Sequence, residues 1–229
     1  MTRVAREESG QSLIELVVGM VIALVVLGAA YTILFAATPL AAHTQDRVDA
    51  FQRGRLAMDV IASELRSQVC LPGAVPAIIP TASIDNEIWF YSNTGDDTEA
   101  PQRRRIYLTG NAIKEDLWKG TFNLATGGVD FPVNPTSTRT LVSPVALVTS
   151  PATPLFSYWG FDANLPAAVN QPISTPVTAV NAQKVVQVDV SFVARPTGAT
   201  TANRRDTTFQ QSVFFRTADP TDPAKGPKC

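Results

Sequence analysis

The feature that most constrains this sequence is a long apolar run close to its N-terminus. Residues 16–42 contain no charged side chain and consist mainly of Leu, Val, Ile, Ala, Met, Phe and Gly. About 20 apolar residues are enough for a helix to cross a bilayer, whereas the apolar core of a secretory signal is only about 7–15 residues long. The run therefore predicts a membrane-spanning helix, with a kink or local opening expected at Pro39.

The residues in front of the run form a distinctive junction. A charged leader, residues 1–10, ends at Gly10, and the sequence Gln11-Ser12-Leu13-Ile14-Glu15 leads into the apolar residues. A charge inside a membrane costs about 2.5–3.5 kcal/mol on insertion scales, so an acid at the start of the run indicates a function. The alternative is that Glu15 snorkels to the interface of an ordinary signal anchor.

This junction resembles that of type IV prepilins and pseudopilins, in which a prepilin peptidase cuts after the glycine and the new N-terminus is usually methylated. The resemblance implies cleavage between Gly10 and Gln11, although the family more often has Phe in place of Gln11. It also implies that Glu15 meets the N-terminal amine of a neighbouring subunit. The expected location is the cytoplasmic membrane, with a single span and the N-terminus inside, followed by an extracytoplasmic filament.

Beyond Pro39 the sequence becomes amphipathic. Apolar residues recur at spacings that place them on one face of a helix, and the charged residues fall largely elsewhere. These apolar residues are Val48, Phe51, Met58, Ile61, Leu65 and Val69. We expect one helix to continue to about Val69 and to end at Cys70-Leu71-Pro72-Gly73, where Pro and Gly break it. Only this second half has a domain to pack on.

The sequence after Gly73 is typical of strands joined by irregular loops. The sequence contains 17 prolines, and several β-branched or aromatic segments alternate with polar residues. The predicted strands are residues 87–92, 105–109, 112–118, 141–149, 155–161 and 184–195, and a last strand that carries Phe209, Val213 and Phe215. Gly110-Asn111 is typical of a hairpin turn. Strands without intervening helices imply an α+β fold, in which an antiparallel sheet has one face on the amphipathic helix.

The downstream order also resembles PilW-like minor pilins and the J-type pseudopilins of type II secretion. The residues that carry this resemblance are Arg55-Leu56-Ala57-Met58-Asp59, Leu65-Arg66, Ile88-Trp89-Phe90-Tyr91, Phe156-Ser157-Tyr158-Trp159 and Val213-Phe214-Phe215-Arg216. The expected domains are a leader over residues 1–10, a transmembrane and filament-core helix over 11–42, an amphipathic helix over 43–70, and an extracytoplasmic β-rich head over 71–229.

The sequence contains few candidate catalytic residues. His43 is the only histidine, so a Ser–His–Asp or Cys–His site would have to use it. There is no glycine-rich phosphate loop and no cluster of zinc ligands, so we expect no enzyme activity and no cofactor or metal. Asp96, Asp97 and Glu99 supply oxygen ligands that calcium uses, but without the full ligand spacing they are better interpreted as a polar loop.

Two further features leave alternatives open. Arg103-Arg104-Arg105 has the charge to contact the phosphates of nucleic acid or lipid, yet a solvated strand entrance explains it as well, because stacking aromatics apart from Tyr107 are lacking. Cys70 and Cys229 either form one disulfide, which would tie the C-terminal tail to the end of the helix outside the cytoplasm, or remain a buried apolar residue and a free thiol.

Taken together, the residues and the resemblance predict a structural, non-catalytic minor pilin or pseudopilin. Its expected partners are other pilin subunits, contacted through the N-terminal helix, the prepilin peptidase and the cytoplasmic membrane, with nucleic acid as a weaker alternative. Subunits of this kind serve pili, cell adhesion, DNA uptake or type II secretion. The rival hypothesis is a membrane-anchored adhesin or ligand-binding module that does not polymerise.

Overall fold

The computed structural model describes residues 13–93, 99–161, 169–197, 206–216 and 229. The chain divides into two compact units, Met1–Gln45 and Asp46–Cys229. One 54-residue helix, α1 (Leu13–Arg66), contributes its first part to the first unit and its last part to the second. Pro39 lies inside α1, and the backbone is helical both before and after it. The helix ends three residues before the predicted Val69.

The reason for the earlier end of α1 is a competing set of backbone partners. The N–H of Val69 donates to the carbonyl of Tyr91 at 2.9 Å, and the N–H of Asn93 donates to the carbonyl of Ser67 at 2.9 Å. The residues after Arg66 therefore run alongside a strand instead of closing another helical turn.

The second unit is built mainly from antiparallel strands. They are β1 (Glu87–Ser92), β2 (Gln102–Thr109), β3 (Ala112–Lys119), β4 (Thr121–Asn123), β5 (Gly128–Asp130), β6 (Ser137–Val142), β7 (Val145–Ala146), β8 (Val148–Thr149), β9 (Ala152–Thr153), β10 (Phe156–Phe161), β11 (Val169–Ile173), β12 (Gln187–Ala194) and β13 (Thr207–Phe214). A single helical turn, α2 (Ala179–Ala182), is capped by the Thr178 side chain.

The first sheet has the order β1-β2-β3-β6. The β2–β3 hairpin turns at Gly110-Asn111 as predicted, and Gly110 has a φ of 57°, a left-handed value that favours glycine. Strand β1 has the predicted bounds, because its alternating aromatic and β-branched residues fit a half-buried strand.

The second sheet has the order β11-β10-β12-β13, and β7 also pairs with β12. The last two predicted strands are neighbours in this sheet, since β12 and β13 pair over eight residues without a register shift. Val188 and Val190 on β12 are fully buried, as their alternation with polar residues predicts.

One hydrophobic cluster joins the last part of α1 to both sheets. Ile61 and Leu65 of the helix, Phe90 of the first sheet and Phe156 of the second are all fully buried in this cluster. The helix approaches β13 closely at Gly54, where a Cβ atom would lie 2.3 Å from the Phe209 ring. The predicted fold class, a long N-terminal helix followed by an antiparallel β domain that packs on it, is confirmed.

Several details of the β domain differ from the sequence-based predictions. One sheet was expected, and two main sheets are present. The predicted strand over residues 141–149 is divided into β6, β7 and β8. Pro144, which has no N–H for a strand ladder, lies between β6 and β7. The elements that the sequence did not predict are β4, β5, β9, β11 and α2.

Candidate functional sites

The first part of α1 presents an apolar surface that the described chain does not cover. Leu13–Phe35, 23 residues, is long and apolar enough to cross a membrane, and none of its side chains is buried. Leu24 is 69% exposed and Phe35 is 74% exposed. Soluble proteins rarely expose a continuous apolar surface of this extent, so such a surface marks contact with a membrane or with another protein.

Glu15 lies in the first turn of this helix, between large apolar side chains. Its neighbours Ile14 and Leu16 are exposed, so the carboxylate belongs to the same uncovered surface. An acid in the first turn also interacts favourably with the positive end of the helix dipole. Gly10 and Gln11, the predicted cleavage site, lie outside the described residues.

A buried ionic cluster ties the last part of α1 to the first sheet. Arg104 on β2 is only 6% exposed, and its Nη1 atom lies 2.8 Å from Glu64 Oε2 on the helix. The same guanidinium contacts the Glu115 carboxylate on β3 and donates from Nε to Ser92 Oγ at 2.8 Å and from Nη2 to Gln102 Oε1 at 2.7 Å. All the sides of this guanidinium are therefore held by the domain itself.

Arg139 on β6 completes the cluster from the solvent side. Its guanidinium contacts Glu115, and Nη2 lies 3.3 Å from Glu64 Oε1. The pKa of Glu64 lies above its ordinary value, mainly because the carboxyl is buried. Arg104 and Arg139 lower this pKa, and the nearby Glu115 carboxylate raises it. Two arginines and two glutamates thus compensate one another where the helix meets the sheet. Buried ion pairs of this kind are costly to break, because the remaining charge is left without a partner.

The outer face of the first sheet holds the two other arginines against aromatic rings. The Arg103 guanidinium lies 4.7 Å from the Trp118 ring centroid and 5.3 Å from that of Phe131. Arg105 lies 4.0 Å from the Tyr107 ring centroid, and it pairs with Glu87 at 2.8 Å. Each contact combines a cation with a π face, and such contacts stabilise by about 0.5–2 kcal/mol.

This arrangement corrects the interpretation of the arginine run as a solvated strand entrance, whereas contact with phosphates stays a prediction. Arg104 is buried rather than solvated, and Arg105 is neutralised by carboxylates of its own chain. The expectation that stacking aromatics are lacking was also wrong. The register brings Trp118 opposite Arg103, and Trp89 opposite Arg105. The alternation within each strand places these arginines and tryptophans on one face of the sheet. The register between the strands is needed to show that they lie opposite one another.

A disulfide joins Cys70 to Cys229, with a Cα–Cα distance of 5.3 Å and a sequence separation of 159 residues. Cys70 follows the end of α1, so the bridge attaches Cys229 to the junction of helix and β domain. The alternative with two free thiols does not describe this structure.

The remaining candidates from the sequence contribute no described site. His43 lies within α1, and its side chain falls outside the described residues, as do Asp96 and Asp97. In the part of the chain that the structure describes, no three His, Cys, Asp or Glu side chains come together in a way that could hold a metal ion.

Comparison with known proteins bears on the N-terminal segment. Residues 6–31 match a family model described as the prokaryotic N-terminal methylation motif. No match to the chain is found among curated proteins. Among solved structures, the chain is similar to a type IV-like pilin from Thermus thermophilus with a TM-score of 0.42 and 10% identity, over 72% of this chain and 95% of that one.

The matched segment includes Gly10, Gln11 and Glu15, and extends into the uncovered apolar part of α1. The chain therefore carries a prepilin-type N-terminal methylation motif at the start of a long helix that leads into an antiparallel β domain.

Proposed function

We propose that this chain is a structural, non-catalytic subunit of a type IV pilus or a type II secretion-type filament, of the minor pilin or pseudopilin kind. The observation that supports the proposal best is the combination of the methylation motif with a helix whose apolar side chains the described chain leaves uncovered. A membrane stores such a helix, and neighbouring helices cover it in a filament.

Processing is the first step of the proposal. A prepilin peptidase removes residues 1–10 on the cytoplasmic side, and the new N-terminal residue, Gln11, is methylated. Residues 11–42 then serve as the transmembrane and filament-core segment, residues 43–70 as an amphipathic connection and residues 71–229 as an extracytoplasmic head.

Glu15 supplies the electrostatic part of assembly. After cleavage it lies four positions beyond the new N-terminus, among apolar residues where an unpaired charge is costly. The terminal amine of a neighbouring subunit offsets that cost when it comes close to the carboxylate. The pair then favours one axial register of the subunits, because a shifted register leaves both charges without a partner.

Replacement of Glu15 tests this role directly. Glu15→Ala should insert into the membrane and be cleaved normally, yet its crosslinking to other pilins in intact cells should fall at least about tenfold, the equivalent of about 1.4 kcal/mol. The matched control is Asp59→Ala on the same helix, an exposed acid whose pair with Arg55 spans 3.9 Å. This control should crosslink like the wild type. Wild-type crosslinking of the Glu15 variant would show that the acid is incidental to assembly.

The cleavage site has its own test. Gly10→Val should leave a full-length precursor in the membrane, because the peptidase recognises the glycine at the end of the leader. Intact-mass measurement distinguishes the two forms. Wild-type protein that retains residues 1–10, in cells with an active prepilin peptidase, would contradict the proposal. It would instead favour the rival function, an anchored adhesin or ligand-binding module that does not polymerise.

A further inference from the structure

The edges of the two main sheets differ in how they are protected. A strand at the edge of a sheet presents unpaired N–H and C=O groups, and proteins usually block such edges with charge, proline, bulges or a covering segment. The edge at β1 is covered, because Ile79 N–H donates to the Trp89 carbonyl at 2.9 Å and Tyr91 N–H donates to the Ala77 carbonyl at 2.9 Å. Two other edges carry other protections.

Those two edges are β11 and β6. Strand β11 contains Pro172, and its pairing with β10 shifts register at Gly160. Strand β6 contains Arg139, and its pairing with β3 shifts register at Ile113. Strand β13 has neither kind of protection. Its sequence, Thr-Thr-Phe-Gln-Gln-Ser-Val-Phe, has no charge, proline or glycine, and its eight residues pair with β12 without a shift.

The direction of the β13 backbone follows from its pairing. The N–H of Phe215 donates to the carbonyl of Val186 at 2.8 Å, so the odd-numbered residues of this strand point their backbone groups toward β12. In an antiparallel ladder the residues between them point the other way. Thr208, Gln210, Ser212 and Phe214 therefore direct their N–H and C=O groups to the open edge. None of the backbone hydrogen bonds outside the ladder involves these four in the described chain.

The exposed face along this edge is self-complementary. Asp206, directly before β13, and Arg216, shortly after it, are exposed and continue the same alternation. When two copies of the strand run antiparallel about a twofold axis at Gln211, the paired residue numbers sum to 422. Gln210 then faces Ser212, Thr208 faces Phe214, and Asp206 faces Arg216 at both ends. Asp206 also pairs with Arg195 in its own chain, at 3.5 Å.

We propose that the open edge of β13 binds the β13 edge of a second copy of this chain, so that the two second sheets become one continuous sheet across a twofold axis. An aromatic residue opposite a β-branched one is a favourable cross-strand pair. The charges select this arrangement, because a parallel, in-register pairing would bring Asp206 beside Asp206 and Arg216 beside Arg216. The proposal does not depend on the filament function, since Gly10, Gln11 and Glu15 take no part in it.

The backbone part of this interface is tested by removing one outward N–H. Ser212→Pro deletes an edge donor while the N–H groups that face β12 remain, and Ser212→Thr is the matched control that keeps the donor. The full-length chain is reconstituted in lipid nanodiscs or detergent, and its mass is measured by light scattering across a concentration series. Wild type and Ser212→Thr should dimerise, whereas Ser212→Pro should dissociate with a Kd at least about tenfold higher.

The charge pairs supply a second test that does not alter the strand itself. Arg216→Asp places like charges together at both ends and should raise the dimer Kd several-fold. The double variant Asp206→Arg with Arg216→Asp exchanges the two charges, and it should recover most of the loss. A melting curve for each variant shows whether the fold is retained.

Three results would overturn the proposal. One is a wild-type chain that stays monomeric over the whole concentration range, as expected if another segment or another protein occupies the edge. The second is a dimer that Ser212→Pro leaves intact, which would place the contact on the apolar helix. The third is a double charge variant that dimerises no better than Arg216→Asp alone. Processing and the effect of Glu15→Ala would be unchanged in every case.

Discussion

The two parts of α1 show how one helix meets two different environments. Between Leu13 and Phe35 the helix is almost wholly apolar, and none of its side chains is buried. Between residues 46 and 66 it carries charges of both signs, yet Ile61 and Leu65 are fully buried. The more hydrophobic part is thus the one that the described residues do not cover. Composition indicates that the apolar side chains of both parts require burial. The fold shows that the described residues bury those of the second part.

The covered part of α1 also makes specific contacts with the β domain. Glu64 enters the ionic cluster with Arg104, and Gly54 allows the close approach of Phe209. In contrast, a Cβ atom added at Gly28 would meet no atom within 4 Å. Substitutions that disturb the contacts of the covered part should therefore lower the stability of the β domain, whereas a substitution in the apolar part should leave it unchanged.

The largest effect is expected from Arg104→Met, which removes the centre of the ionic cluster. Glu64 and Glu115 would then be held near each other with only Arg139 to compensate them. Breaking a buried pair by removing one partner costs about 3–5 kcal/mol. Denaturant unfolding, followed by Trp fluorescence, measures the loss. The control Arg55→Met removes a guanidinium that is 73% exposed, and it should change the unfolding free energy by less than about 0.5 kcal/mol. Equal effects would mean that the cluster does not hold the helix on the sheet.

A smaller effect is expected from paired glycine substitutions in the two parts of the helix. Gly54→Val forces side-chain atoms into the Phe209 ring, and overpacking of this kind costs about 1–3 kcal/mol. Gly28→Val introduces the same side chain where no atom is close, and the unfolding free energy of the β domain should not change. If the two variants unfold alike, the close contact between α1 and β13 does not contribute to stability.

The smallest effect concerns pH. Burial raises the pKa of Glu64 above its usual value of 4.5, so the folded protein binds this proton more tightly than the unfolded chain does. The contribution of Glu64 to the unfolding free energy is therefore fully present below about pH 4.5 and falls as the pH rises through the folded pKa. Glu64→Gln cannot titrate and should lose this slope. A wild-type stability that rises relative to Glu64→Gln over this range would contradict the assignment.

The sequence predicted those elements that depend on a pattern within a short stretch of residues. The apolar run, the alternation in β12 and the Gly110-Asn111 turn each lie within a few residues, and the corresponding elements are present. The ionic cluster was missed because its members are far apart in the chain. Arg104 and Glu115 are 11 residues apart, and Arg139 and Glu64 are 75 apart. Their meeting depends on strand register and helix docking, which the spacing of a sequence does not contain.

The division into two sheets has a similar cause. Strands β1 and β10 alternate in much the same way. Nevertheless β1 pairs with β2 in the first sheet and β10 pairs with β12 in the second, and these partners are not visible in the alternation. For the N-terminal site the situation is reversed. Glu15 lies in a motif that is recognisable within a few residues, whereas its proposed partner belongs to another molecule.

The Cys70–Cys229 bridge has a mechanical consequence. Its two Cα atoms are 5.3 Å apart, although 159 positions of sequence separate them. A tensile load that enters through α1 and leaves at Cys229 passes from Cys70 to Cys229 through the covalent sulfur–sulfur link. The β domain lies in the closed loop beside that path, so its hydrogen-bonded strands are not in series with the load. Tension along this path is carried by covalent bonds and by the helix, and the sheets are spared the shear that would otherwise separate their strands.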